Sequence, residues 1–170
     1  MLKKFIIFIL LFNIAGKAMA QSQQEANLKA VFIYNFTKYI DWAIDQHDNE
    51  FVIGILGSSP MEKPLLQIAK TNTVNNRRIV IQHYSRPEDI GYCHILVIPH
   101  NCPFPLSQVL QKAGLGMLTI SEETGYGRLG TAFNFVPVND KLKFEANLKV
   151  INAAGVKVSS QLLKLAIIIN

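Results

Sequence analysis

Phe51-Val52-Ile53-Gly54-Ile55-Leu56 is a run with no polar side chain, of strand length and rich in β-branched residues, as expected for a strand buried on both faces. Such strands belong to parallel sheets covered by helices on both sides. The next residues fit that reading. Gly57-Ser58-Ser59-Pro60 is a turn, Ser58 or Ser59 can cap a helix reaching about Lys70, and Pro64 delays its start. Working outward, Arg78–His83, His94–Ile98 and Met117–Ile120 read as further strands. Ser85–Asp89 between them reads as a loop or helical turn, and Leu106–Ala113 as a helix closed by Gly114. Strands separated by single helices predict a parallel α/β sheet.

The second half changes pattern. Ala132–Val136 and Leu142–Glu145 flank Val138-Asn139-Asp140-Lys141, which reads as an antiparallel hairpin. A short helix is expected from Asn147 to near Gly155, and a last helix with Val158, Leu162, Leu165, Ala166 and Ile169 on one face. The expected fold is therefore an α/β single-domain three-layer sandwich with a mixed, mostly parallel sheet and an antiparallel hairpin edge.

At the other end, residues Lys29 to Trp42 read as an aromatic-dense amphipathic helix. At 100° per residue, Leu28, Val31, Phe32, Ile33, Phe36, Tyr39, Ile40 and Trp42 share a broad apolar arc. Asn35 falls inside that arc and is expected as a core asparagine with its amide paired. Before the helix, Met1-Leu2-Lys3-Lys4 is a basic start, Phe5 to Ala15 is apolar except at Asn13, and Ala18-Met19-Ala20 is a small-x-small cleavage site. Residues 1–20 are thus expected as a signal peptide cut between Ala20 and Gln21, leaving 21–170 as one exported domain. No Gly/Ser/Pro-rich linker, low-complexity run or internal repeat divides it.

The net charge of +5 shrinks when the export segment leaves. Lys3, Lys4 and Lys17 go with it and no acid does, so 14 cations face 12 acids and the balance is +2. The longest basic run left is Arg77-Arg78, beside an apolar strand. Neither a nucleic-acid stripe nor a polybasic membrane patch is supported.

Motifs for chemistry are sparse. Cys93 opens a strand and Cys102 lies beyond its end, a separation of roughly 20 Å in an extended chain, so no bridge within the chain is expected. Cys93 and His94 are strand neighbours that point to opposite faces, and His100 with Cys102 supplies only two ligands, so no metal is called for. Gly125-Tyr126-Gly127-Arg128-Leu129-Gly130 matches the dinucleotide fingerprint in letters, but a strand follows it where the fingerprint needs a helix. Gly57, Ser58 and Ser59, leaving a parallel strand toward a helix, form the better candidate for a ligand turn, although the lysine of a P-loop and a third glycine are missing. Ser159-Ser160 reads as a helix cap, Ser121-Glu122-Glu123 as a solvated strand exit, and His47 and His83 have no acid or nucleophile close in sequence. No cofactor and no enzyme activity are expected.

Several blocks together carry a resemblance. Lys29-Ala30-x-Phe32-x-Tyr34-Asn35-Phe36-x-Lys38-Tyr39-x-x-Trp42 resembles the opening of the YfiR family of small periplasmic proteins, and Cys93-His94-Ile95-Leu96 resembles its central strand. Asn134-Phe135-Val136, Phe144-Glu145-x-Asn147-Leu148 and the stretch from Ala154 to Ala166 are similar to its C-terminal block in order and spacing. Where the family has a Gly-Gly pair before the Asn-Phe strand, this chain has Gly130-Thr131. The cysteine pairing of some relatives is also missing. The resemblance implies a periplasmic repressor that binds the sensor domain of an inner-membrane diguanylate cyclase, or a related histidine kinase. Sequestration by an outer-membrane lipoprotein, a homodimer, and cyclic-di-GMP and biofilm control as the output are implied with it. A periplasmic small-ligand-binding domain using Gly57, Ser58 and Ser59 is the alternative, and an unrecognised hydrolase the third.

For a partner-binding surface, the glycine-rich segment Glu122–Gly130 stands out. Tyr126, Arg128 and Leu129 sit among three glycines in a segment expected as a surface loop, and Tyr and Arg are enriched at interface hot spots. The competing expectation is that Tyr126 and Leu129 fold back as a cover over the sheet.

Overall fold

The structure, a computed structural model, describes residues 21–42 and 49–169. The expected signal peptide 1–20, Ala20 of the cleavage site included, and His47 lie outside the described residues. The first helix, α1, covers 21–37, and its final turn tightens through bonds from Lys38 N–H to the Asn35 carbonyl and from Tyr39 N–H to that of Phe36. It stops there, five residues short of the Trp42 expected from periodicity. Ile40–Trp42 forms strand β1, whose in-out-in burial suits a period of two. Leu28, Val31 and Tyr39 are exposed rather than in the core, because the small Ala26 and Ala30 let the helix seat on a narrower stripe completed by Ile33 and Phe36. Asn35 is only half-buried, and its Oδ1 accepts from Lys38 Nζ at 3.0 Å. The core asparagine expected there is not one.

The later elements are β2 (Glu50–Leu56), α2 (Glu62–Thr71), β3 (Thr73–Val74), β4 (Arg77–Tyr84), β5 (Ile95–Ile98), α3 (Leu106–Leu110), β6 (Leu118–Ser121), α4 (Tyr126–Leu129), β7 (Phe133–Val138), β8 (Lys141–Asn147), α5 (Leu148–Ala153), β9 (Val156–Val158), α6 (Ser160–Leu163) and β10 (Ile167–Ile169). Among the described residues an eight-stranded sheet runs β10-β8-β7-β6-β5-β2-β4-β3, and β1 pairs with β9 in a separate antiparallel ribbon. The central pairs β4·β2, β2·β5, β5·β6 and β6·β7 are parallel. The β7–β8 hairpin is antiparallel, its turn made by Asn139 and Asp140 with φ of 49° and 57°, and β10 extends the sheet beyond it in parallel with β8. The mixed, mostly parallel α/β sheet is as the sequence predicts.

The C-terminus is not. The expected last helix is reduced to Ser160–Leu163, capped by the Ser159 hydroxyl, and Ile167–Ile169 is a strand. Three consecutive isoleucines are restricted at χ1 and fit a pleated edge better than a helix end.

Strand parity divides the interior into two cores. Phe51, Ile53, Ile55, Ile95, Ile120, Phe133, Phe135 and Phe144 face α1, α2, α5 and α6, whose contributions include Phe36, Leu65, Ile151 and Leu162. On the other face Val52, Leu56, Tyr84, Cys93, Leu96 and Ile98 pack with Val109 of α3, Met117 and part of Tyr126. His94, next to Cys93, lies on the first face, stacked on Phe51 at 4.4 Å and bonded through Nδ1 to the Val52 N–H. The two neighbours therefore point apart, although both precede β5, which starts at Ile95 rather than at His94.

Both thiols are free: Cys93 is fully buried and Cys102 half-buried. Burial pushes the Cys93 thiol up to about 12, against a weaker opposing hydrogen bond with the Gly54 backbone. Cys102 is expected to react with a maleimide in the folded protein while Cys93 reacts only after denaturation, since the thiolate is the nucleophile. Two equal labelling rates in the native state would contradict this burial.

Candidate partner-binding site

The segment after β6 is not a plain loop. Tyr126–Leu129 closes one helical turn between Gly125 and Gly130, whose φ of 86° and 118° are left-handed. Arg128 and Leu129 point outward, Leu129 at 65% exposure, whereas Tyr126 is half-buried against the second core. Arg128 and Leu129 are therefore exposed to solvent, while Tyr126 packs in part on the second core.

What holds this turn is a row of polar side chains set abreast by strand register. Ser121 is level with Asn134, Asn134 with Glu145, and Glu145 with Ile167 at the sheet edge. Ser121 Oγ lies 2.7 Å from both Thr131 Oγ1 and Asn134 Oδ1. Asn134 Nδ2 donates to Glu145 Oε2 at 3.0 Å. One row on, Asn147 Nδ2 donates to the Gly127 carbonyl at 2.9 Å, while Asn147 Oδ1 accepts from Val150 N and caps α5. Gly127 is wedged onto this row: a Cβ there would meet Glu145 Oε2 at 2.6 Å and Ile169 Cδ1 at 2.8 Å. Mutually satisfied polar groups, all buried except the half-buried Glu145, fix one geometry, since a buried one would be costly if left alone.

Sequence reasoning missed this row. Ser121, expected as part of a solvated strand exit, is fully buried. Asn134 between two phenylalanines was the available signal, because period two turns it away from the aromatic core. Thr131 supplies a hydroxyl to the network.

In the second candidate, the Gly57-Ser58-Ser59 turn, Gly57 and Ser59 are engaged and Ser58 is exposed. Gly57 N–H donates to the Tyr84 carbonyl, His83 Nε2 meets the Gly57 carbonyl at 2.9 Å, and Ser59 Oγ accepts from Met61 N–H. Pro60 just beyond lines an open cleft of about 710 Å³, shared with Leu28, Lys29, His100, Glu122 and Leu142. At its base Lys29 Nζ is 2.7 Å from both Glu122 and Glu25, Glu122 also accepts from His100 N–H, and His100 Nδ1 lies 2.8 Å from Glu123. Burial lowers the Lys29 pKa, but the hydrogen bonds to Glu122 and Glu25 outweigh it and the net effect is upward. Among the described residues, no three His, Cys, Asp or Glu side chains converge as a metal set, and no helix is long and apolar enough to cross a membrane.

Sequence comparison agrees with these blocks. A model of the YfiR/HmsC-like family matches residues 26–167. No curated protein matches the chain.

Proposed function

From the premise that the chain belongs to the YfiR/HmsC-like family, a regulatory family of the periplasm in cyclic-di-GMP signalling, we propose that it represses a membrane-bound diguanylate cyclase or a related histidine kinase by binding its periplasmic sensor domain through Arg128 and Leu129. Export with cleavage between Ala20 and Gln21 would deliver it there. Release by an outer-membrane lipoprotein and action as a homodimer belong to the same proposal. The observation that carries it is the combination of an exposed Arg-Leu pair with a turn pinned from beneath by a satisfied polar row. A repressor needs greater affinity for the inactive state of its target and no reacting group. A rigid, presented surface supplies that at low entropic cost.

The test is recovery of a sensor cyclase or kinase from detergent-solubilised membranes on the immobilised mature chain. Arg128→Ala with Leu129→Ala should abolish recovery while stability moves by less than about 0.5 kcal/mol, as surface changes do. Tyr126→Ala should instead lower stability by about 1–3 kcal/mol, within the range for point substitutions. Full recovery by the Arg128/Leu129 variant would sink the proposal. The cleft beside Pro60 favours a second reading as a small-ligand domain, which a co-purifying molecule in native mass spectrometry would support.

A further inference from the structure

β10 is where the sheet stops. Its inner edge pairs with β8, and among the described residues no strand lies beyond its outer edge. Ile167 and Ile168 are 39% and 42% exposed, and Leu165 just before them 65%. A Cβ on Gly127 would meet Ile169 Cδ1 at 2.8 Å, so α4 sits against this strand. Open edges are normally guarded by charge, proline or a bulge. Ile167-Ile168-Ile169 carries none of these, and both edges are short, three residues here and two, Thr73–Val74, at the opposite edge.

The rim is basic. Arg128 stands on α4, Lys164 ahead of β10, Lys143 two residues before Glu145 on β8, and Lys149 two residues after Asn147, all exposed. Glu145, the carboxylate in that neighbourhood, already accepts from Asn134.

We infer that the outer edge of β10, with Arg128 and Leu129 above it, docks an extended segment of a partner protein, apolar along its strand and flanked by carboxylates, which adds to the sheet. This rests on the regulatory reading of α4 and names the kind of partner element it takes. Backbone pairing supplies affinity, side-chain pockets and the rim supply selection. A second copy is the weaker occupant, because twofold pairing would bring Arg128, Lys143, Lys149 and Lys164 close to their own equivalents.

The probe is a soluble peptide of alternating valine and threonine with two glutamates at each end, set against its lysine-flanked counterpart. The acidic peptide should bind the full mature chain, more weakly as salt rises, and slow hydrogen exchange at the amides of residues 167–169. Arg128→Glu with Lys164→Glu should weaken it by about tenfold or more, as for reversed rim charges, with melting unchanged. Equal binding of the two peptides, or unaltered exchange at 167–169, overturns the inference. So does a concentration-dependent dimer that protects those amides without peptide. Either failure leaves the regulatory reading intact, because that is decided by recovery of the membrane sensor.

Discussion

Phe36→Ala is expected to destabilise the protein by about 3–5 kcal/mol, the usual range for truncating a buried aromatic. Phe36 is 1% exposed, with ring centroids of Phe144 at 4.8 Å, Phe133 at 5.0 Å, Phe32 at 6.0 Å and Phe135 at 6.1 Å. Removing it empties the point where α1 meets β7 and β8, and the neighbouring rings are themselves in contact, Phe133 with Phe144 at 5.6 Å, so the gap closes poorly. Urea denaturation reads the effect as a lower midpoint with an unchanged slope. Val31→Ala on the same helix is exposed and should stay within about 0.5 kcal/mol. Comparable losses for the two would mean that α1 presents a different face to the sheet.

That pair of substitutions also marks what the sequence could and could not disclose. Periodicity placed both residues in one apolar arc, because hydrophobicity counts side chains and not the space available to seat them. The alanines at 26 and 30 decided the matter, since a helix with small residues on one stripe approaches the sheet along that stripe. For the strands, a continuous apolar run and the Phe133-Asn134-Phe135 alternation made element type and facing legible. Register was not legible. The row Ser121, Asn134 and Glu145 joins residues from three strands, and its existence depends on which residues lie abreast across one parallel and one antiparallel pairing. The C-terminal isoleucines follow the same logic: Val158, Leu162, Leu165, Ala166 and Ile169 satisfy a helical period, and only the place β10 finds beside β8 selects the strand. At the candidate site, glycines announced the turn after β6. That Tyr126 turns inward while Arg128 and Leu129 stay exposed depends on the second core beneath it.

Glu122→Ala is expected to cost about 3 kcal/mol, the lower end of what breaking a buried ion pair costs. The Glu122 carboxylate is 3% exposed and holds both Lys29 of α1, itself 13% exposed, and the His100 N–H after β5. Among the described residues, its loss leaves the Lys29 ammonium with the exposed Glu25. The penalty belongs to the stranded charge, so Lys29→Met with Glu122→Leu, which removes both partners, should recover most of the stability. Lys29 further predicts an alkaline limit. Its folded pKa lies above the ordinary 10.5, so its contribution is full below that value and is lost as pH rises through the folded pKa. Stability measured from pH 9 upward should therefore fall in the parent protein, and the Lys29→Met variant should lose less over the same interval. Equal alkaline slopes in the two proteins, or a Glu122→Ala cost that persists undiminished in the Lys29→Met background, would show that the ion pair does not fasten α1 to the carboxyl ends of the strands.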